Sequence, residues 1–557
     1  MAGQSKETDH AQSTGAFAPL REPPFRRIWI ASLMSNFSQL FLGVGAAWEM
    51  TQLTDSPTMV ALVQTAMMVP LMLVTLPAGA IADMFDRRKI AMSGLAFASL
   101  SAAALTMAAV YEMTTPWVLL GFLVLIGAGV AMFSPSWQAS IPEQVSRKNL
   151  PAAVALGTIS YNVARSFGPA LGGLIVLAAG AKAVFGLTSV LYLPLFLAFL
   201  VWNRRHVPSR LPPERIDRAI VSGARYALHS APIRTALTRV FMFGLATATA
   251  TALAPLVAKD ILGGDAAVFG IVLGAQGVGA VIGALFVSNI RERFDIEYAV
   301  RTCALGTGLA LVAIGLSTSL PLSCAAYFFV GAFNIVTIAL LNVGVQLSAP
   351  RWVTARALSL FSSAITAGIG IGAWAWGAFA GVHGVAVAHI ASGLAVSATF
   401  FVGMLFPLKR EVDGESDSVD IGNEVSVALQ LTPRSGPVVI EIEYDVDPEA
   451  ARQFYDAMQR LSRVRKRNGG FDWSISRDIA DPAKWIERYH CPTWGDYLRM
   501  RDHYTQIDID IQDEANSFNR IGGEMRVSRR LERPFGSVRW KADTPDPEQD
   551  TVTWLGP

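Results

Sequence analysis

The chain has 557 residues, of which 52% are hydrophobic and only 16% are charged. Soluble domains are about 25% charged, so this composition excludes a protein that is soluble throughout and places most of the chain in a membrane. The net charge of +2 gives no indication of nucleic-acid binding, and the three cysteines lack metal-ligand or redox spacing. We therefore expect no metal, no cofactor and no nucleic-acid partner.

Apolar segments long enough to cross a bilayer as helices recur along the chain. Their approximate bounds are 27–50, 58–81, 90–111, 116–138, 152–179, 183–202, 236–258, 266–289, 298–318, 320–346, 355–380 and 384–406. Turn residues such as Asp55-Ser56-Pro57 separate neighbouring segments. The polar first residues lack the pattern of a removable signal peptide, so we expect the first apolar segment to target the chain. The sequence predicts twelve transmembrane helices.

Basic residues are concentrated in alternate loops. These loops carry Arg26, Arg27, Arg87, Arg88, Lys89, Arg147, Lys148, Arg204, Arg205, Arg210, Arg215, Arg218, Arg291, Arg293, Arg351, Arg356, Lys409 and Arg410. The intervening loops hold little beyond Lys182 and Lys259. Lysine and arginine in short loops are retained on the cytoplasmic side. We therefore expect an inner-membrane protein with both termini in the cytoplasm.

The two groups of six segments repeat one another at an offset of 204 residues. The matching pairs are Gly79 with Gly283, Arg87 with Arg291, Gly168 with Gly372, and Gly173 with Gly377. Two related six-helix halves imply a substrate path at their interface, which opens alternately to each side.

The loop between the second and third segments, from Gly79 to Lys89, combines glycine, an acid and three basic residues. Asp83 at a helix end could pair with a helix N-terminus that is exposed in one conformation only, which would make the loop a latch. The alternative is an ordinary basic cytoplasmic loop. The string resembles the signature loop of the major facilitator superfamily, in which Gly79, Asp83, Arg87 and Arg88 match. The second glycine of that signature is Asp86 here, and the copy at 283–293 lacks the acid.

In the fifth segment, Gly168, Pro169, Gly172 and Gly173 resemble the Gly-Pro motif of exporters in this superfamily. Proline bends a helix and glycines permit close packing, so a kinked packing seam is the alternative. The resemblance implies export rather than uptake.

Several polar side chains lie on apolar segments, where they would line an aqueous cavity or hydrogen-bond between helices. The candidates are Ser35, Asn36, Gln39, Gln64, Gln138, Asn162, Arg165, Gln276, Asn334 and Asn342. Glu49 is the candidate for coupling to protons, although it could equally be an interfacial carboxylate in water. Proton coupling itself is implied only by the family resemblance.

Residues 127–145, together with Leu53 to Pro57, are similar to the branch of the superfamily that contains enterobactin exporters and some macrolide efflux proteins. The resemblance covers about residues 25–408. The chain lacks the arginine that proton-coupled drug exporters commonly carry in the fourth span.

After Arg410 the chain becomes polar, and 437–542 is predicted to form an α+β domain with a ferredoxin-like order of elements. The expected strands are 438–444, 471–476, 484–489 and 537–540, and the expected helices are 448–465 and 494–504. The domain resembles the dimeric α+β barrels of the antibiotic-biosynthesis monooxygenase group, which implies homodimerisation by analogy. His490 with Trp485, Trp494 and Tyr497 could form a small-molecule pocket, or these aromatic residues could be core.

The predicted fold is an all-α polytopic membrane protein of two six-helix halves with a small ferredoxin-like domain. The expected segments are a polar tail at 1–24, the two halves at 25–203 and 233–408, a central loop at 204–232, a linker at 409–436, the α+β domain at 437–542 and a tail at 543–557. The predicted function is secondary active export of a small amphipathic siderophore or drug-like molecule across the bilayer. A membrane-tethered enzyme or a ligand sensor is the alternative, and no nucleotide-binding motif indicates an ATP-driven pump.

Overall fold

The computed structural model describes most of the helical part and most of the C-terminal domain. The described residues are 17–84, 86–202, 225, 226, 229–350, 353–405, 407, 427–429, 431, 432, 434–502, 504–520 and 526–532. The predicted linker 409–436 and the predicted strand 537–540 fall largely or wholly outside them. So do the arginines of the central loop from 204 to 218.

The helical part consists of apolar helices joined by short turns. These are α1 (Pro23–Leu53), α2 (Pro57–Met84), α3 (Arg87–Val110), α4 (Pro116–Gln144), α5 and α6 (within Leu150–Val201), α7 (Ala231–Ile261), α8 (Ala266–Arg293), α9 (Ile296–Leu316), α10 (Leu320–Ser348), α11 (Thr354–His383) and α12 (Val385–Leu405). Side chains cap several of these helices at the N-terminus. Thr115 accepts a hydrogen bond from Val118 N, and Asp265 accepts from Ala267 N and Val268 N, which satisfies amides that a helix start leaves open.

The long helical stretch from Leu150 to Val201 is two helices. Its 52 residues would span roughly 78 Å as one helix, more than twice the bilayer core. Gly180 interrupts it with φ +75° and ψ 170°, a conformation that favours glycine. Asn36 of α1 bonds to Ser160, and Ser38, two residues on, bonds to Thr188, so the chain reverses at Gly180. α5 is therefore 150–179 and α6 is 181–201, so the described part of the chain before residue 408 contains the twelve apolar helices that the sequence predicted.

The turns fall at two ends of the bundle. We call the end that carries turns 54–56, 111–115, 262–265 and 317–319, with Gly180 and Gly384, the arginine-poor end. The opposite end, which carries the α2–α3, α4–α5, α8–α9 and α10–α11 turns, is the arginine-rich end. This division is the pattern from which the sequence predicted orientation.

The chain forms two compact units. The first contains Met1–Pro213, Leu237–Asn342 and Phe361–Leu408, and the second contains Glu214–Ala236, Val343–Leu360 and Lys409–Pro557. Most of the helices belong to the first unit, whereas the second holds the C-terminal domain with the segment before α7 and the ends of α10 and α11. The domain boundaries expected from the sequence stay predictions.

The C-terminal domain is a four-stranded antiparallel sheet with helices. Its elements are β1 (Val438–Asp445), α13 (Ala451–Arg467), β2 (Phe471–Arg477), β3 (Lys484–Cys491), α14 (Trp494–Asp502), α15 (Gln506–Asn516) and β4 (Arg526–Leu531). The strand order is β2-β3-β1-β4. In register, Ile440 faces Tyr489 of β3 and Arg529 of β4. This order of elements and strands is the ferredoxin-like arrangement that the sequence predicted.

The fourth strand and one helix differ from the prediction. β4 is Arg526–Leu531 and not 537–540, which lies outside the described residues. The strand was missed in the sequence because it is rich in arginine. On the outer face of the sheet, Arg530 pairs with Glu441 and Arg526 pairs with Glu443. The helix α15 was not predicted at all.

Candidate transport pathway

Glycines bring α5 against α8 across the two halves. A Cβ atom built on Gly173 would lie 2.5 Å from Ala266 O and 2.8 Å from the Gly270 Cα. Deeper in the bundle, a Cβ on Gly277 would lie 2.6 Å from Arg165 O. These distances are shorter than any side chain tolerates, so only glycine permits this approach of the two helices.

The helices α2 and α11 form the counterpart of this contact. Thr58 Oγ1 donates to Gly377 O at 3.3 Å, and Thr65 Oγ1 donates to Gly370 O at 2.7 Å. A Cβ on Gly377 would lie 2.4 Å from the Ala61 Cβ. Gly173 and Gly377, which the sequence repeat matched, thus occupy equivalent positions in the two crossings.

A lysine also links α7 to α1 at the arginine-poor end. Lys259 Nζ at the end of α7 donates to Thr51 O of α1 at 2.6 Å and lies 3.8 Å from the Asp55 carboxylate. Trp48 stacks on Phe269 of α8 with 6.3 Å between ring centroids. The described hydrogen bonds between the halves thus lie from the arginine-poor end to the middle of the bundle. In this conformation the halves are closed together at the arginine-poor end.

The predicted polar candidates are spread over both halves. Ser35 and Gln276 are buried, and Gln138 is exposed. The half-buried candidates are Asn36, Gln39, Gln64, Asn162, Arg165, Asn334, Asn342 and Glu49. Asn36 Nδ2 donates to Ser160 Oγ at 3.1 Å, which is the interhelical hydrogen bonding weighed as its alternative. For the other candidates a role in a cavity stays a prediction.

The predicted latch loop is held to the N-terminal half. Arg87 Nη1 donates to Ala139 O at 2.9 Å and to Glu143 Oε1 at 3.0 Å, which ties the loop to the end of α4. Arg88 Nη2 donates to Leu200 O of α6. The side chain of Asp83 lies outside the described part, so the latch stays a prediction.

Asp86 explains how the loop departs from the family signature. Its carboxylate accepts a hydrogen bond from Arg88 N at 2.9 Å and caps α3. Its φ is −64° and its ψ is 109°, which any residue adopts. The position therefore has no need of glycine, and an acid there satisfies an open amide of the helix.

The Gly-Pro motif of α5 is a packing seam. A Cβ on Gly168 would lie 2.8 Å from the Leu40 Cβ of α1, and one on Gly172 would lie 3.4 Å from the Phe41 Cα. Pro169 contributes its carbonyl oxygen, which would lie 2.9 Å from a Cβ on Gly270. The motif thus joins α5 to α1 on one side and to α8 on the other.

A charged cluster inside the C-terminal half was not predicted. Arg239 of α7, 8% exposed, donates from Nη1 to Glu297 Oε2 of α9 at 2.5 Å. The Arg301 guanidinium lies 4.3 Å from the ring centroid of Phe400. Gly403 of α12 leaves room for all three charges, since a Cβ there would lie 2.5 Å from Glu297 Oε1. The signals in the sequence were Arg239 and Arg301, each near the start of a predicted span.

The C-terminal domain holds a second buried cluster. The Arg465 side chain is 2% exposed and donates from Nε to Glu487 Oε1 at 3.0 Å, while Glu487 is fully buried. Tyr444 Oη donates to Glu487 Oε2 at 3.1 Å, and Trp473 Nε1 donates to Oε1 at 2.9 Å. Burial, together with the negative charge of Glu487, raises the pKa of Tyr444. These bonds compensate the buried charges, as a buried ion pair requires.

The aromatic residues proposed as a pocket do not surround His490. Trp494 and Tyr497 are buried in the core, and Trp485 is on the face of β3 that packs against the helices. His490 lies on the opposite face, where its Nε2 is 3.5 Å from Glu532. The core interpretation is therefore correct for these aromatics. Among the described residues no group of three His, Cys, Asp or Glu side chains could hold a metal ion.

Comparisons with known proteins agree with this architecture. Residues 14–535 match the family described as transmembrane secretion effector. The chain is 25% identical over 400 residues to the multidrug efflux pump Tap of Mycolicibacterium fortuitum, covering 70% of this chain and 97% of Tap. It is 26% identical over 415 residues to the enterobactin exporter EntS of Shigella boydii, covering 70% of this chain and 93% of EntS.

Solved structures share the fold. A bacterial homologue of the human lysosomal transporter Spinster, in an inward-facing and unoccupied conformation, superposes with a TM-score of 0.56 at 13% identity, covering 70% of this chain and 95% of that one. A POT family transporter in complex with a thioalcohol-conjugated peptide gives a TM-score of 0.57 at 13% identity, covering 69% of this chain and 95% of that one. The chain therefore belongs to the transmembrane secretion effector family of the major facilitator superfamily, a family of transporters rather than enzymes, and is a multi-pass membrane transporter.

Proposed function

We propose that this transporter exports small amphipathic molecules, of the siderophore or drug-like class, across the inner membrane by proton-coupled alternating access. The observation that carries the proposal is the closure of the two halves at the arginine-poor end by α5 with α8 and α2 with α11. Paired crossings at one end are what a rocking mechanism uses as one of its two gates.

The orientation follows from the charges. Arginine and lysine in short loops stay in the cytoplasm, so the arginine-rich end and both termini face the cytoplasm. The conformation closed at the arginine-poor end is then the one that accepts cargo from inside. Support for export comes from the Gly-Pro motif of α5 and from the relatives, whose names describe efflux of drugs and of enterobactin.

The polar side chains of the bundle are proposed to contact the cargo. Arg165 is the central one, because it is half-buried on α5 and its own carbonyl oxygen forms the close contact with Gly277 of α8. A charge at membrane depth is costly and is usually retained for a function. Glu49 is proposed as the proton carrier, since it is a half-buried carboxylate towards the arginine-poor end of α1. Gly79, Asp83, Arg87 and Arg88 are proposed as the latch.

The C-terminal domain is proposed to pair with that of a second copy. Its support is the resemblance to dimeric α+β barrels and the outer face of the sheet, where Phe471 and Ile486 are exposed. The protein in detergent should be a dimer by light scattering, and Ile486→Asp should convert it to a monomer. A wild-type monomer would contradict the proposal.

The export proposal is tested in efflux-deficient bacterial cells that are loaded with a fluorescent dye or a catecholate siderophore. Wild-type protein should lower accumulation, a protonophore should abolish the difference, and Arg165→Ala should fail to produce it. Ser93→Ala is the control and should behave as wild type, because Ser93 is exposed on α3 and its hydroxyl donates to Ile90 O of the same helix. Higher accumulation with wild-type protein would contradict export.

A further inference from the structure

The segment before α7 packs on the C-terminal domain through two residues. Arg225 Nη1 donates to Gly469 O at 3.4 Å. The Arg467 guanidinium carbon lies 5.5 Å from the centroid of the Tyr226 ring, within the range of a cation–π contact. Tyr226 is only 3% exposed. Tyr226 is thus buried beside the positively charged Arg467 of the C-terminal domain.

The surface that receives these two residues has a fixed geometry. Gly469 follows α13 with φ +109°, a value that favours glycine, and the next amide, Gly470 N, bonds back to Arg465 O at 2.8 Å. Arg467 is held by an ion pair with the fully buried Asp508 carboxylate. Contacts within the C-terminal domain therefore hold both the Gly469 carbonyl group and the Arg467 guanidinium in place.

The basic run at the end of α13 is not one solvated face. Arg463 and Lys466 are exposed, but Arg465 is buried against Glu487 and Arg467 faces Asp508 and Tyr226. The Asn468-Gly469-Gly470 turn that follows presents its carbonyl to the loop. The run and its turn therefore serve packing within the domain and contact with the segment before α7.

The receiving contact is connected directly to a transmembrane helix. Ser230 N donates to Tyr226 O at 2.8 Å, and Arg234 N donates to Ser230 O at 2.9 Å. These two backbone bonds link Tyr226 to Ser230 and Ser230 to the first turn of α7, which begins at Ala231. Through these bonds a displacement of Tyr226 reaches α7, the first helix of the second half.

We propose that the C-terminal domain is a restraint on α7, which it holds through Tyr226 and Arg225. The contact stabilises the conformation closed at the arginine-poor end and must loosen when the second half rocks. The effect on transport rests on the proposed alternating-access function, whereas the docking itself does not. The partner of this surface is accordingly the pair Arg225 and Tyr226 of the same chain.

Hydrogen exchange of the full-length protein in detergent tests the docking. Tyr226→Ala should speed exchange of the amides at 226–236 and 465–471 by roughly tenfold, which corresponds to about 1.4 kcal/mol of lost opening free energy. Arg467→Lys should act in the same direction, because lysine keeps a charge for Asp508 but lacks the planar face that stacks on the ring. Arg234→Ala, at an exposed position on α7, should exchange as wild type. Equal exchange in all variants would overturn the docking.

Transport of the dye in proteoliposomes tests the restraint. Tyr226→Ala should raise the initial rate by about twofold or more, because removing a contact that must break lowers the barrier of the step. Arg234→Ala should leave the rate unchanged. Faster exchange without a faster rate in Tyr226→Ala would overturn the restraint while leaving the docking in place. A wild-type protein that moves no dye would count against the proposed function, and the exchange result would still decide the docking.

Discussion

Gly173 of α5 and Gly270 of α8 lie so close that a Cβ atom built on Gly173 would stand 2.8 Å from the Gly270 Cα. The two glycines belong to different halves of the transporter and meet at the arginine-poor end. Their approach is possible only without side chains, so the closure of the two halves at this end depends on both positions being glycine.

Gly173→Ala should weaken that gate. The added methyl group would lie 2.5 Å from Ala266 O, and backbone cannot move aside as a flexible side chain can. Overpacking of this kind costs about 1–3 kcal/mol, so we expect a transport rate roughly tenfold or more below wild type. Gly157→Ala on the same helix is the matched control, because a Cβ there meets nothing within 4 Å. Equal rates for the two variants would show that the crossing does not limit transport.

The contact of the latch loop with α4 should have a modest energy. Arg87 and Glu143 are 3.0 Å apart and about a quarter exposed, with side-chain exposures of 27% and 23%. Pairs of this kind contribute about 0.2–1 kcal/mol. A double-mutant cycle of Arg87→Ala and Glu143→Ala measures how far the effects of the two substitutions on the initial transport rate depend on each other. We expect this coupling factor to be no more than about fivefold. Lys89→Ala, at an exposed neighbouring position, should change little, and a coupling near 100-fold would mean that the pair is a gate in its own right.

Breaking the buried pair of the C-terminal domain should unfold it. Glu487→Ala leaves the Arg465 guanidinium buried without its carboxylate, which costs about 3–5 kcal/mol. Hydrogen exchange of the β3 amides in the full-length protein should therefore rise by two orders of magnitude or more. Glu532→Ala removes an exposed carboxylate that pairs with Arg488 and should leave those amides protected. Unchanged protection in Glu487→Ala would contradict the role given to the pair.

The thiol of Cys491 should resist alkylation in the folded domain over the usual range of pH. Burial raises its pKa to about 12, and the negative charge of Asp496 acts in the same direction. The raised value favours the neutral thiol in the folded state. Its contribution to stability is complete below the ordinary pKa of about 8.5 and is lost as pH rises towards 12. Iodoacetamide labelling should thus stay flat from pH 7 to 9.5 in native protein and rise with a midpoint near 8.5 in urea, whereas the same midpoint in native protein would contradict this burial.

The number of helices was predictable from the sequence because bilayer thickness fixes the length of each apolar segment. Arginine placement separated the two ends of the bundle for a similar reason, since charges avoid the hydrocarbon. The reversal at Gly180 also lies between the segments 152–179 and 183–202 that were expected. Each of these features depends on local composition alone.

The elements of the C-terminal domain were harder to predict. Ile507, Ile509 and Ile511 alternate with polar residues as in a strand, yet they lie on α15. The signal that could have identified this helix is its capping box, in which Thr505 and Asp508 bond to each other's backbone amides. Periodicity and capping disagreed here, and tertiary packing decided in favour of the helix.

The close contacts of the site could not be predicted, because they depend on which residues meet in space. Glu487 stands at an inward position of β3, where a charge has no local explanation until Arg465 is placed beside it. Lys259 was one of two basic residues that broke the charge pattern, and the structure shows it fastening α7 to Thr51. Exceptions to a sequence pattern were thus the best pointers to long-range contacts.

Proton-driven uptake of the dye into everted membrane vesicles tests proton-coupled export most directly. The cytoplasmic face of an everted vesicle is outside, so an exporter should concentrate the dye inside when the interior is acidic. We expect uptake that collapses with the proton gradient. Arg165→Ala should abolish this uptake, and Ser93→Ala should retain it. Uptake only into right-side-out vesicles, or uptake indifferent to the gradient, would contradict proton-coupled export.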